Sequence, residues 1–197
     1  MGQGKQAKIL TEAQIAKVLN NLGKRSRYAV RDRAMFLLSI KAGLRAKEIA
    51  NLKWSMVTDA EGGLLDVMAL PNKASKGAGG GRSIPMNRDL RTALVELAAC
   101  IDDRQGDDPV IASERGGPMN AGAVTMWFWR VYRGLGFKGA SSHSGRRTFI
   151  TRAAKKVVEA GGSLRDVQQL AGHSSLSTTQ RYIEGDSEAK RKLVDLI

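Results

Sequence analysis

Apolar residues recur at three- and four-residue spacing through most of this chain, and the pattern predicts helices separated by glycines and capping residues. Thr11 with Gln14 three positions later forms a capping box. It opens a helix whose Ile15, Val18, Leu19 and Leu22 share one face, with Gly23 as the expected end. A second helix is expected over 28–42, with Val30, Ala34, Leu37 and Leu38 inward and Gly43 as its stop. A third, from 44 to about 52, carries Ile49 and Leu52 into the core.

The helical period then breaks. Segments 54–57, 64–70 and 82–85 are short and separated by turn residues, which predicts a small antiparallel three-stranded sheet. The connection 72–81 is too glycine-rich to hold one conformation by itself. It reads as a hairpin tip rather than a domain linker, because the segments before it cannot close a separate core. Helical spacing returns from Asn87, first through Leu90, Leu94, Leu97 and Ile101, then through Val124, Trp127, Phe128, Val131 and Leu135. Over 143–158 it runs through Phe149, Ile150, Ala153, Val157 and Val158, and Gly161-Gly162 stops it. Ser163 and Asp166 cap a short helix ending at Gly172. The next helix begins at Ser177, contains Tyr182 and stops near Gly185. The tail 187–197 is amphipathic, and its Leu193, Val194, Leu196 and Ile197 dock either on their own core or on a neighbouring protomer. The expected class is therefore mainly α with a small sheet (α+β), in a single domain spanning 1–197.

Charge changes this picture more than length does. Thirty-two Lys and Arg against nineteen Asp and Glu leave a formal charge of +13, which favours a polyanionic partner, nucleic acid first. Two clusters, Lys24-Arg25-Arg27-Arg31-Arg33 and Arg146-Arg147-Arg152-Lys155-Lys156, are either solvated faces or contacts to such a partner. The longest apolar stretch, 34–40, is far too short to span a bilayer, and no signal-peptide core precedes it. The single cysteine excludes an internal disulfide and fits a reducing cytoplasm; its place in a helical apolar pattern predicts a buried thiol at Cys100. The sequence holds no metal-spaced His/Cys cluster, P-loop or dinucleotide fingerprint.

Candidate chemistry gathers in three segments. His143-Ser144-Gly145-Arg146 sets an imidazole and a guanidinium one helical turn apart. Leu170-Ala171-Gly172-His173 precedes Ser177-Thr178-Thr179-Gln180-Arg181-Tyr182, and upstream Gly43-Leu44-Arg45-Ala46-Lys47-Glu48 places Arg45 and Glu48 one turn apart. Taken singly, Arg45 with Glu48 reads as a surface pair and Tyr182 as a core aromatic. In order and spacing, however, the segments resemble the tyrosine recombinase (phage integrase) family across essentially the whole chain. The first matches its Gly-x-Arg-x-x-Glu stretch, running on to Leu52 and Trp54. The sheet with Lys76, Arg82 and Pro85 matches the hairpin that carries the family's catalytic lysine, though Lys73 is also available. His143 with Arg146 matches the His-x-x-Arg box, and 170–182 the Gly-His to Tyr box, with Ala171 before Gly172. The family's N-terminal DNA-binding domain has no counterpart here, as in short recombinases or a fragment of a longer integrase.

The resemblance implies attack of the Tyr182 hydroxyl on a DNA phosphodiester, giving a 3′-phosphotyrosyl bond and a free 5′-hydroxyl without nucleotide or metal cofactor. A tyrosine phenol ordinarily titrates near about 10, so such a nucleophile needs nearby positive charge or a base. Arg45 and Arg146 are then the clamps on the non-bridging oxygens, Lys76 the acid for the leaving oxygen, His143 a proton-transfer group and His173 a phosphate donor. Glu48 buttresses the site, and Arg82, Arg147 and Arg152 are expected on DNA. Double-stranded DNA is the implied partner, bound by a homo-oligomer of four protomers. Two other readings stay open: a DNA-binding regulator or integrase remnant without catalysis, and a type IB topoisomerase that relaxes DNA without exchanging strands.

Overall fold

The computed structural model describes residues 7–71, 81–182 and Asp195. The hairpin tip with Lys73 and Lys76 therefore lies outside the described residues, as does the tail 187–197 apart from Asp195. Helix α1 (Glu12–Arg25) begins at the predicted Thr11–Gln14 capping box. It does not end at Gly23, which is helical, but runs on to Arg25, where Ser26 in an extended conformation breaks it. Helix α2 (Ala29–Lys41) is the hub, packed against α1, α4 and α6. Its residues 34–40 are all buried, so it is buried all round rather than along one stripe, which explains why its apolar run is interrupted only by Ser39.

One face of α2 is reached at unusually short range. A Cβ at Gly145 would run into the Ser39 hydroxyl, so α6 (Ser144–Lys156) crosses α2 where only glycine fits. Helix α3 (Ala46–Ala50) is shorter than its predicted span.

The sheet has two strands, not three. Strand β1 (Val67–Leu70) pairs antiparallel with β2 (Arg82–Pro85), and Leu70 lies opposite Arg82. The predicted first strand, 54–57, opens instead with a 3₁₀ turn, Trp54–Met56. Residues three apart share a face in such a turn, so Trp54 and Val57 both enter the core, which a strand's alternation forbids. Only an isolated bridge, Thr58 to Leu64, remains of that pairing.

Helix α4 (Arg88–Ala98) buries Leu90, Leu94 and Leu97 as expected, together with Ala93, whereas Ile101 lies past its end and is half-buried. It ends before Cys100, and the turn beyond it carries that thiol outward, so Cys100 is exposed rather than buried. Helix α5 (Ala121–Gly134) buries Val124, Phe128 and Tyr132, with Trp127 half-buried edge-on against Phe128. Helices α7 (Leu164–Ala171) and α8 (Leu176–Gln180) are the last described helices, and Tyr182 sits just past α8 rather than inside it. They share with α6 a small second core of Ile150, Val167 and Ala171, on which Phe149 and Tyr182 pack. The class is α+β, as predicted. Among the described residues no helix is long and apolar enough to cross a membrane.

Candidate active site

Three segments of the chain meet at one open cleft of about 460 Å³. Arg45, His143, Arg146, His173 and Tyr182 all line it, together with Ser141, Arg147, Thr178 and Arg181. They come from the loop ahead of α3, the start of α6, and the α7–α8 region. Five of the six residues expected to carry chemistry thus stand around one space; Lys76, the sixth, lies outside the described residues.

The first corner is Gly43, with φ of +66°. A side chain there would strike the Phe149 ring, so both conformation and packing demand glycine. This corner turns the chain so that the Gly43 carbonyl accepts Arg146 Nη1 at 2.7 Å. Two residues later Arg45 stands at the N-cap of α3, where Glu48 Oε2 accepts its amide at 2.8 Å and Oε1 its guanidinium at 2.9 Å.

Glu48 is wholly buried. Burial alone would raise its carboxyl pKa, but the hydrogen bond and charge of Arg82, with the amide and charge of Arg45, outweigh that and hold it below the usual carboxylate range. Arg146 is 4% exposed, and its Nη2 donates to Ala171 O at 2.6 Å. Burial first, then the Arg45 charge, lowers it to about 10, still a cation at neutral pH. Among the described residues two of its five N–H donors are spent on these carbonyls, and the residue lines the cleft.

The second corner is Gly172, left-handed at φ +60°, which ends α7 and starts the turn into His173. His173 Nδ1 lies 2.9 Å from the Thr179 hydroxyl, and either group can be the donor. Its ring stacks on Tyr182 with centroids 5.6 Å apart. The Tyr182 amide donates to the Thr179 carbonyl at 3.0 Å, so buried Thr179 sets both the histidine and the tyrosine. Burial, then the charges of Arg146, Arg45 and Arg82, push His173 down to about 4; the ring is neutral at pH 7. His143 is exposed at the cleft mouth as the N-cap of α6.

The three arginines expected on DNA separate. Arg147 lines the cleft, and its buried Nε has no partner among the described residues. Arg82 is not a free surface cation: its side chain is 9% exposed and its fork is bidentate to Glu48 at 2.8 and 2.9 Å. Arg152 is held by Glu12 at 2.6 Å and by the Leu10 carbonyl, tying the N-terminal segment to α6 away from the cleft. Sequence reasoning gave no role to Thr179 or Arg181. Both stand in the segment leading to Tyr182, but nothing local marks Thr179 as the partner of His173.

The cleft is therefore a cationic, hydrogen-bond-donating pocket with one phenol against a neutral imidazole. Such a set suits an anionic tetrahedral or five-coordinate centre. Among the described residues no cluster of His, Cys, Asp or Glu is placed to hold a metal ion.

Residues 8–188 match the phage integrase family. The tyrosine recombinase XerC of Nitrobacter winogradskyi is 33% identical over 160 residues, covering 80% of this chain and 47% of that protein. XerC of Xylella fastidiosa is 32% identical over 167 residues, 84% of this chain and 52% of the relative. The chain spans about half the length of the curated relatives it matches. In fold it is similar to the Tn1549 transposon integrase in complex with a circular intermediate DNA, with a TM-score of 0.75 at 22% identity over 100% of this chain and 67% of that one. The XerA recombinase follows at TM-score 0.72 and 21% identity, covering 95% of this chain and 64% of its own.

Proposed function

The chain belongs to the phage integrase family, and from that membership and the cleft's geometry we propose that it cleaves and rejoins DNA at specific sites through a 3′-phosphotyrosyl intermediate. The observation that carries this is the meeting of Arg45, Arg146, His143 and His173 around Tyr182 in one open cleft. The integrase neighbour in complex with DNA supports a duplex partner, as does the +13 charge.

In this reading the Tyr182 oxygen attacks phosphorus, the bond to the 5′-oxygen breaks, and the 5′-oxygen leaves as a hydroxyl. Energy of the broken bond stays in the phosphotyrosyl link, so religation needs no nucleotide. Arg45 and Arg146 hold the non-bridging oxygens, pre-aimed by Glu48 and by the Gly43 and Ala171 carbonyls. His173, neutral and fixed at Nδ1, presents Nε2 to the phosphate. His143, at the mouth, takes part in moving the phenolic proton. Lys76 is the proton donor to the leaving oxygen. Arg147 reaches backbone phosphates. Four protomers joining two sites complete the proposed assembly.

The test is covalent trapping. Nicked duplexes from the gene's own neighbourhood, incubated without added metal or nucleotide, should yield a denaturation-resistant protein–DNA adduct that Tyr182→Phe abolishes. Tight, salt-sensitive binding with no adduct would turn the reading toward a silent DNA-binding protein, and relaxation of any supercoiled plasmid without exchange toward a topoisomerase.

A further inference from the structure

Arg82 is the one expected DNA-contacting arginine that the fold draws into the site's own framework. Each oxygen of Glu48 accepts two bonds: Oε1 from Arg82 Nη1 and Arg45 Nη1, Oε2 from Arg82 Nη2 and the Arg45 amide. A wholly buried carboxylate with four charge-assisted or backbone donors has one orientation available to it. Among the described residues the Arg45 guanidinium bonds only to Glu48, and Arg82 fixes Glu48.

The same guanidinium also bears on the histidine side of the cleft. A Cβ at Gly172 would come within 2.8 Å of Arg82 Nη1 and 3.0 Å of its Cδ, so the arginine lies flat against the backbone that starts His173. β2 packs on α7 at this point. Arg82 thus touches both the residue that aims Arg45 and the corner that aims His173.

Building on the recombinase reading above, we propose that Arg82 is a positioning residue for strand cleavage: it holds Arg45, through Glu48, and the Gly172–His173 corner in register around one phosphate. It acts from behind the cleft and does not contact DNA. Its fork geometry matters as much as its charge, because a lysine reaches one carboxylate oxygen and leaves the other to Arg45.

The experiment compares wild type, Arg82→Met, Arg82→Lys and Glu48→Gln on two probes. A pool of nicked duplexes with a randomised core reads the rate of adduct formation, and a fluorescein-labelled duplex reads affinity across a salt series. Arg82→Met should slow adduct formation by about 10- to 100-fold, the order expected when a reacting group is misplaced by an ångström or less. Arg82→Lys, which keeps the site's charge and serves should Arg82→Met not fold, should lose about fivefold to tenfold. Duplex affinity should stay within about twofold and its salt slope unchanged, whereas loss of a phosphate contact lowers that slope by about one. In an Arg45→Lys background, Arg82→Met should cost clearly less than it does in the wild type, because one of the two groups it positions is already gone and only the His173 side is left to lose.

A reduced salt slope, or losses that multiply in the Arg45→Lys background, would overturn the positioning role while leaving the recombinase reading intact. A folded Arg82→Lys that cleaves at the wild-type rate would do the same. A wild-type chain that forms no adduct on the pool removes the recombinase reading and this inference together.

Discussion

Gly43→Ala is the sharpest probe of how the site is built, because backbone conformation, packing and chemistry all converge at that residue. With φ at +66° an alanine takes the left-handed conformation at a cost of about 1–2 kcal/mol. Its methyl also lands on the Phe149 ring, with ring atoms Cε1 and Cγ at 3.0 and 3.1 Å, and such overpacking costs about 1–3 kcal/mol. The two together come to about 2–5 kcal/mol, and at roughly 2–4 °C per kcal/mol for a chain of this size the melting temperature should fall by about 4–20 °C. Adduct formation, measured well below the melt, should also slow by about tenfold or more, because the Gly43 carbonyl anchors Arg146 and Arg45 is two residues away. Gly23→Ala is the matched control. That glycine lies within α1, has nothing within 4 Å of the added methyl, and carries no left-handed strain. Alanine there should stabilise by about 0.8–1.0 kcal/mol and leave the adduct rate alone. The reasoning is refuted if Gly43→Ala melts within about 1 °C of wild type, or if the two substitutions shift stability in the same direction.

His173, held near 4 by burial and three arginines, should make stability depend on pH in a definite sense. Its folded pKa lies below the unfolded value of about 6.5, so the unfolded chain binds the extra proton between those values; the contribution is present above about pH 6.5 and lost as pH falls toward 4. Thermal melts from pH 4 to 8 should show this slope, less of it should remain in His173→Gln, and equal slopes in the two proteins would contradict it. Thr179→Val removes the hydroxyl at His173 Nδ1 while keeping the buried shape, and at about 1 kcal/mol for one hydrogen bond the adduct rate should fall by about fivefold; a rate within about twofold of wild type would deny Thr179 its orienting role. Cys100, exposed past the end of α4, should react fully with a thiol reagent in the native protein, and protection until unfolding would place it back in the core.

What could be read from sequence, and what could not, divides by the distance over which the cause acts. Thr11 with Gln14, Ser163 with Asp166, and Gly172 as a helix stop are local causes, settled within four residues, and all three stand in the structure. The cleft was legible for a related reason. Arg45 and His173 each follow a glycine that the backbone itself requires at positive φ, so each motif carries a conformational signal along with its chemistry. Where two solutions satisfy the same local pattern, the period alone does not choose. At 54–57 an apolar run fits a strand or a 3₁₀ turn, and burial of Trp54 together with Val57 decides for the turn. The arginines differ in another way. Arg82 and Arg152 present the same charge to a sequence reader as Arg147, yet Arg82 meets Glu48 from 34 positions away and Arg152 meets the Leu10 carbonyl from 142. Nothing along the chain announces either partner. A net positive charge predicts an anionic ligand for the molecule as a whole, but whether a given arginine faces that ligand or an internal carboxylate depends on which acid the fold buries beside it. Beside Arg82 the buried acid is Glu48, and its single carboxylate binds Arg82 and Arg45 together.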